Sequence, residues 1–468
     1  LDSVLPAGDA GFGDLKAPVM MSSQPSNSSI AVLGAGESGL SAAGLLAGEG
    51  HRVCVFDSGS ETNSRAEVEA LREKGVFFEF GSDRIERPGD YAWAVLSPGI
   101  DPKAPIAGSL SEAGVELIGE VELAFRRCAC PVVAVTGTNG KTTTTQLVDA
   151  MFNGAGVSSV ACGNIGPSFS REVHRSAELD VMTLEVSSFQ LETIRTFRPK
   201  IAVWLNFTAD HLDRYASMSE YFEAKARIFE NLRSEDVAVV NARDVLPAMA
   251  AKQIRFSAYE RGGDFELVED AICFRGEVVL RMGETQLRGA HNAENLMAAL
   301  GVGFAWGIPW QRLVEPLKRY QALPHRCEVV GSVDGVEYIN DSKATNLDAL
   351  EKALISEGRR VVLIAGGKDK GFEFGSVTEL VAARCRAVVL IGEMSARIEG
   401  LWGGAVRCYA EASLEEAVRR ARALAMAGDV VLLSPGTSSF DMFKNYADRG
   451  NQFRSAVQNL SSPTLQTS

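Results

Sequence analysis

Pro131-Val132-Val133-Ala134-Val135-Thr136-Gly137-Thr138-Asn139-Gly140-Lys141-Thr142-Thr143 reads as a buried strand, a small-residue turn and the first residues of a helix. Residues 131–135 are apolar and mostly β-branched, as a strand covered on both faces requires. Glycines in the turn let successive backbone N–H groups converge on an anion, and the helix N-terminus adds positive potential. In such a setting Lys141 reaches terminal phosphates while the Thr142 hydroxyl takes a magnesium ion. The strict pattern G-x-x-x-x-G-K-[ST] is not met, because Val135 occupies its first glycine position and the loop is shorter. The stretch predicts ATP binding through Gly137, Thr138, Asn139, Gly140, Lys141, Thr142 and Thr143, in a central domain resembling P-loop ATPases.

At 468 residues the chain is long enough for about three domains. Hydrophobic residues make up 46% and charged residues 23%, the balance of an ordinary globular protein. A net charge of -13 argues against a broad nucleic-acid or anionic-membrane surface, so anionic ligands must be held by local sites. No stretch is apolar for long enough to insert in a bilayer. The eight cysteines are scattered, and Cys128 and Cys130 lack zinc-spaced partners, so a reducing cytoplasm is expected. Residues 1–28 are rich in Gly, Ser, Pro and Ala without periodicity, and read as a disordered or non-native leader.

Strand and helix alternate through three units: 29–127, 128–323 and 324–468. The first opens with a strand at 29–33, then Gly34-Ala35-Gly36-Glu37-Ser38-Gly39, a helix to about Gly48 and a second strand ending at Asp57. This is the dinucleotide fingerprint, but the same geometry serves any nucleoside diphosphate, so an NAD-linked oxidoreductase stays open. A further strand at 92–96 runs into Ser97-Pro98-Gly99. The second unit adds strands at 159–161, 180–185, 200–206 and 236–241, an antiparallel patch at 265–282, and helices at 293–306 and 310–320. The third has strands at 336–340, 360–365, 387–391 and 430–433 with helices at 345–356, 376–384 and 413–426. The expected fold is α/β, with Rossmann-like N-terminal and C-terminal domains around the mostly parallel central sheet.

Several residues invite chemistry. Glu185 ends a buried strand in the sheet of the phosphate loop, placed to share magnesium with Thr142. His211 sits between Asp210 and Asp213 in a loop after a strand, either a structural histidine or a metal ligand. Lys225 falls on the apolar stripe of a helix expected at 220–232, with Tyr221, Phe222, Ile228 and Phe229. Desolvation there lowers an ammonium pKa and exposes a nucleophilic amine, unless the stem snorkels to water. Asp341–Asn346, Gly366–Lys370 and Ser434–Ser439 all follow strands, where open α/β sheets bind ligands, and their lysines and hydroxyls suit a small acidic substrate.

Together, Gly137–Thr143, Gly163-Asn164-Ile165-Gly166, Glu185–Glu192, Asp210–Arg214, Leu323–Arg326, Asp341–Asn346 and Asp441-Met442-Phe443…Arg449-Gly450 resemble the Mur ligases over roughly residues 29–460. The resemblance implies a three-domain ligase of peptidoglycan precursor synthesis, monomeric, joining D-glutamate to UDP-N-acetylmuramoyl-L-alanine with ATP cleavage. It implies that the first glycine motif holds uridine diphosphate, with Glu37, Ser38, Asp57 and Ser58 in contact. Asn164 and His211 would face the substrate and metal, and Lys141, Thr142 and Glu185 the ATP phosphates and magnesium. Asn292 and Asn295 would lie near adenine, with Arg326 and Asp341 near the ribose and phosphates. Lys343, Thr345, Lys370, Ser439 and Tyr446 would surround D-glutamate. The family usually carries phenylalanine at the Tyr446 position, and Lys368 competes with Lys370. Finally, the resemblance implies that carbon dioxide carbamylates Lys225, whose carbamate would bind a second magnesium ion.

Overall fold

The computed structural model describes residues 29–59, 65–210, 214–321 and 324–461. The leader at 1–28 and His211 lie outside the described residues. The first sheet comprises β1 (Ser29–Leu33), β2 (Val53–Asp57), β3 (Phe77–Phe80), β4 (Tyr91–Leu96) and β5 (Glu116–Gly119). Its order is β3-β2-β1-β4-β5, all parallel, so the strand order reverses between β1 and β4. A crevice opens there at the strands' carboxyl ends, where such sheets take ligands.

The central sheet holds β6 (Val132–Thr136), β7 (Ser159–Gly163), β8 (Val181–Glu185), β9 (Ile201–Trp204), β10 (Val237–Asn241), β11 (Lys252–Ser257), β12 (Phe265–Val268), β13 (Ala271–Phe274) and β14 (Glu277–Arg281). In the order β14-β13-β12-β11-β10-β9-β6-β8-β7, only the β12–β13 and β13–β14 pairings are antiparallel. β6 is buried along its whole length because both faces are covered. Val133 and Val135 pack with helices Lys141–Gly154 and Ala290–Ala305, while Val132 and Ala134 face Met182, Leu184 and Trp204.

The third sheet has β15 (Glu328–Val333), β16 (Val336–Asn340), β17 (Val361–Gly366), β18 (Cys385–Ile391), β19 (Cys408–Ala410) and β20 (Val430–Leu433). Its order is β15-β16-β20-β17-β18-β19, with only β15 antiparallel. Since β16, β20 and β17 are neighbours, the loops after them converge, as the three polar segments led us to expect. The molecule is therefore a three-domain α/β protein with mostly parallel sheets. Among the described residues no helix is long and apolar enough to cross a membrane.

The helix expected at 220–232 is shorter. It runs Met218–Ala226 and tightens into a 3₁₀ turn over Arg227–Phe229. Tertiary bonds compete with helical continuation here: the Arg227 guanidinium donates to the carbonyls of Leu191, Glu192 and Ile194. Strands β3, β5, β11, β15 and β19 were not expected; β3 and β15 are edge strands without a single fully buried position.

Candidate active site

The loop after β6 is shaped by its glycines. Gly140, at φ 84°, stands in the left-handed region immediately before the helix, and a Cβ there would lie 2.4 Å from Asn295 Oδ1. Asn206 clamps the loop from the end of β9: its Oδ1 accepts from the Asn139 N–H at 2.9 Å, and its Nδ2 donates to the Asn139 carbonyl at 3.0 Å. The Thr138 hydroxyl donates to the Thr208 carbonyl at 3.1 Å. Lys141 Nζ donates to the Gly137 and Thr138 carbonyls at 2.9 and 2.8 Å, and burial lowers its pKa. Thr142 is half-buried in the first helical turn, and Thr143 is buried behind it.

Two elements aim charge at this loop. Glu185, 2% exposed at the end of β8, accepts from Asn164 Nδ2 at 2.8 Å through Oε1. Its Oε2 is buried without a hydrogen bond among the described residues. Asn164 is itself fixed by its backbone N–H, which donates to the Glu185 carbonyl at 2.9 Å. From the other side Lys225, only 1% exposed, donates to the Gly137 carbonyl at 3.1 Å and lies 4.8 Å from the Tyr221 ring centroid. Burial, reinforced by the Lys141 cation, pushes its pKa well below that of a free lysine. The stem does not snorkel; the desolvated reading holds.

The C-terminal domain closes over this loop. A cavity of about 760 Å³, counting open solvent at its mouth, is lined by Gly140, Asn292, Asn295, Arg326, Asp341 and Lys343. Asp341 accepts from the Ser434 hydroxyl at 3.0 Å and the Cys327 N–H at 3.2 Å, and burial raises its pKa to about 7. Lys343 Nζ sits 3.9 Å from the Tyr446 ring centroid, and burial together with the Arg326 charge lowers its pKa to about 8. Ser439 is buried and Thr345 half-buried beside it in the sequence-predicted set. Lys370 Nζ reaches across to Asp210 Oδ1 at 3.4 Å, whereas Lys368 is exposed. Lys370 thus faces the domain interface and Lys368 faces solvent.

Glu37, Ser38, Asp57 and Ser58 do not line that cavity; they follow β1 or lie at the end of β2, at the carboxyl edge of the first sheet. Asp57 accepts from the Ala35 and Gly59 N–H groups, both at 2.7 Å, and so shapes the glycine turn itself. Sequence reading missed Asn206, Asp348, Lys352 and Arg449 as site residues. Arg449 is wholly buried and donates to the Ser342 hydroxyl and carbonyl, both at 2.9 Å, and to the Thr437 carbonyl at 3.3 Å, tying two polar loops together. Only its place in the Asp441–Gly450 motif signalled it.

Three domain families match in chain order: the Mur ligase MurD-like N-terminal domain over residues 28–119, the Mur ligase middle domain over 135–303 and the Mur ligase glutamate ligase domain over 325–436. The chain is 41% identical over 441 residues to the UDP-N-acetylmuramoylalanine--D-glutamate ligase of Trichlorobacter lovleyi, covering 92% of this chain and 98% of that one. It is 40% identical over 452 residues to the ligase of the same name from Pelotomaculum thermopropionicum, covering 92% and 97%. Among solved structures, UDP-N-acetylmuramate-alanine ligase MurC from Thermotoga maritima aligns with a TM-score of 0.60 and 18% identity over 92% of this chain and 99% of that one. MurF ligase from Thermotoga maritima in complex with ADP aligns with a TM-score of 0.59 and 15% identity over 87% and 96%. At such identities these structures share the fold.

Proposed function

The chain belongs to the Mur ligase family, and from that premise we propose that it joins D-glutamate to UDP-N-acetylmuramoyl-L-alanine in peptidoglycan precursor synthesis, with ATP cleaved to ADP and phosphate. One observation carries this reading: the Gly137–Thr143 loop and the Lys343 loop line a single cavity. They do so in a chain about 40% identical, over nine-tenths of its length, to ligases of that name.

The substrate's terminal carboxylate attacks the ATP γ-phosphorus, giving an acyl phosphate and ADP. A carboxylate is a poor acyl donor because oxide would have to leave; the phosphoryl group supplies a stable leaving group. The D-glutamate amine then attacks the acyl carbon, phosphate departs and the amine proton is lost to solvent. Lys141 offsets repulsion between the carboxylate and the triphosphate. Glu185 Oε2, buried and without a hydrogen bond among the described residues, fits magnesium together with the Thr142 hydroxyl of the first helical turn, and the ion would supply further charge neutralisation. A carbamate on Lys225 would suit a second ion, with His211 as a further ligand.

In this reading Glu37, Ser38, Asp57 and Ser58 hold the uridine diphosphate, Asn164 the reacting end, and Asn292, Asn295, Arg326 and Asp341 the nucleoside of ATP. Lys343, Thr345, Lys370, Ser439 and Tyr446 receive D-glutamate, the lysines pairing with its carboxylates. In this reading the enzyme acts as a monomer, and nucleotide-linked precursor substrates support a cytoplasmic location. Sustained, multiple-turnover ADP release is expected only when the UDP substrate, ATP, magnesium and D-glutamate are all present. Equal release with a diamino acid in place of D-glutamate would overturn the assignment.

A further inference from the structure

Asn139 occupies an unusual position in the nucleotide loop. Asn206 of the central domain already satisfies its backbone N–H and carbonyl, so the central domain alone sets the loop's shape. Its side-chain amide turns instead to the C-terminal domain. There Asn139 Nδ2 donates to Asp348 Oδ2, and its Oδ1 accepts from Asn346 Nδ2 at 3.4 Å. Asn346 caps the helix Leu347–Ser356 and Asp348 lies in its first turn, so one helix start grips both ends of one amide. Asp348 also accepts from Lys352 Nζ at 2.9 Å, one helical turn on. Both side chains of that pair are mostly desolvated, 16% and 17% exposed, and Lys352 and Asn139 line the same cavity wall. Pairing with Lys352 lets a carboxylate stand beside an anionic nucleotide without adding much net negative potential.

We propose that Asp348 is a positioning residue that latches the C-terminal domain onto the nucleotide loop through Asn139, coupling ATP occupancy to the seating of the amino-acid site. This rests on the ligase reading. The coupling follows from the geometry: the cavity is lined by Asn139 and Gly140 of the central domain and by Arg326, Lys343 and Lys352 of the C-terminal domain, so a nucleotide held there and the Asn139–Asp348 bond both favour the docked arrangement. Each condition favours the other, as reciprocal coupling requires.

The test uses the full-length enzyme in small-angle X-ray scattering, titrated with the non-hydrolysable analogue adenylyl imidodiphosphate. The wild type is expected to contract as analogue is added. Asp348→Ala should require about tenfold more analogue for the same contraction, the worth of one desolvated charge-assisted hydrogen bond. Asp348→Asn, which keeps a carbonyl acceptor for Asn139, should recover most of the response. In steady state Asp348→Ala should raise KM for ATP by a similar factor and leave KM for the UDP substrate unchanged. Contraction of Asp348→Ala at the wild-type analogue concentration would overturn the proposal, as would a wild type that does not contract at all. Failure of the ligase reading shows separately, as absence of D-glutamate-dependent ADP release by the wild type.

Discussion

Lys225 shows how burial changes what a side chain can do. With 1% exposure, a ring face at 4.8 Å and a carbonyl as its hydrogen-bond partner, its neutral form is favoured by burial and by the Lys141 charge. A lysine whose folded pKa lies below 10.5 binds fewer protons than in the unfolded chain across that interval. Its contribution therefore favours folding increasingly as pH rises through the interval, and that advantage is lost as pH falls towards the folded pKa. Carbon dioxide adds only to the neutral amine, releasing one proton and leaving a carbamate anion. Enzyme incubated with carbon-13 bicarbonate is expected to show a carbamate carbon resonance, growing from neutral to mildly alkaline pH and absent in Lys225→Arg. Active labelled enzyme without that resonance would refute the modification. The residue was legible because apolar neighbours at helical spacing surround it. Its partner, the Gly137 carbonyl, was not, since nothing in local sequence links positions 88 apart.

The same boundary between local and distant information appears among the elements. Strands β6, β8, β10, β16 and β20 were readable because their apolar runs end at loops. The helix Glu120–Phe125 was not, and its second acidic residue is completely buried. Glu122 accepts from the backbone N–H groups of Arg195, Thr196 and Phe197 at 2.8–2.9 Å, from the Thr196 hydroxyl at 2.6 Å and from Arg126 at 2.8 Å. Burial alone would raise its pKa, but the bonds from Thr196, Arg195 and Arg126 outweigh it and hold the carboxyl below its ordinary 4.5. The stability it contributes is complete above that value and is lost as pH falls through the lowered pKa. Glu122→Ala strands several buried donors at about 1–3 kcal/mol each, so a loss of roughly 3 kcal/mol is expected. Hydrogen exchange should report it as an approximately hundredfold loss of protection confined to the Arg195–Phe197 amides. Unchanged exchange there would contradict the assigned role. Reading one chain cannot find such a link, because the partners are 73–75 residues away and Glu in a helix ordinarily faces water.

At the scale of the whole molecule, the proposed reaction requires two separately folded crevices to be held at a fixed separation, and sequence motifs describe each crevice but not the spacing between them. Arg214 bridges that gap. Its guanidinium donates to the Pro98 and Ile100 carbonyls after β4 at 3.2 and 3.5 Å, and to Glu192 at 2.9 Å in the central domain. It stacks 4.3 Å from the Phe189 ring centroid, and Tyr215 braces Glu192 at 2.6 Å. Planar, multidentate contacts of this kind resist rotation in a way a lysine ammonium does not. Glu192 follows Glu185 through the one-turn helix Ser188–Leu191, so on the proposed reading the bridge sets where the UDP end of the substrate lies relative to Lys141 and Asn164. Arg214→Ala leaves both binding crevices intact but frees their mutual orientation. Its expected signature is a kcat lowered roughly 10- to 100-fold, the effect of about an ångström of misplacement, with KM for ATP unchanged. Arg214→Lys should recover little of it. A rise in KM for ATP at unchanged kcat would show instead that Arg214 serves the nucleotide site.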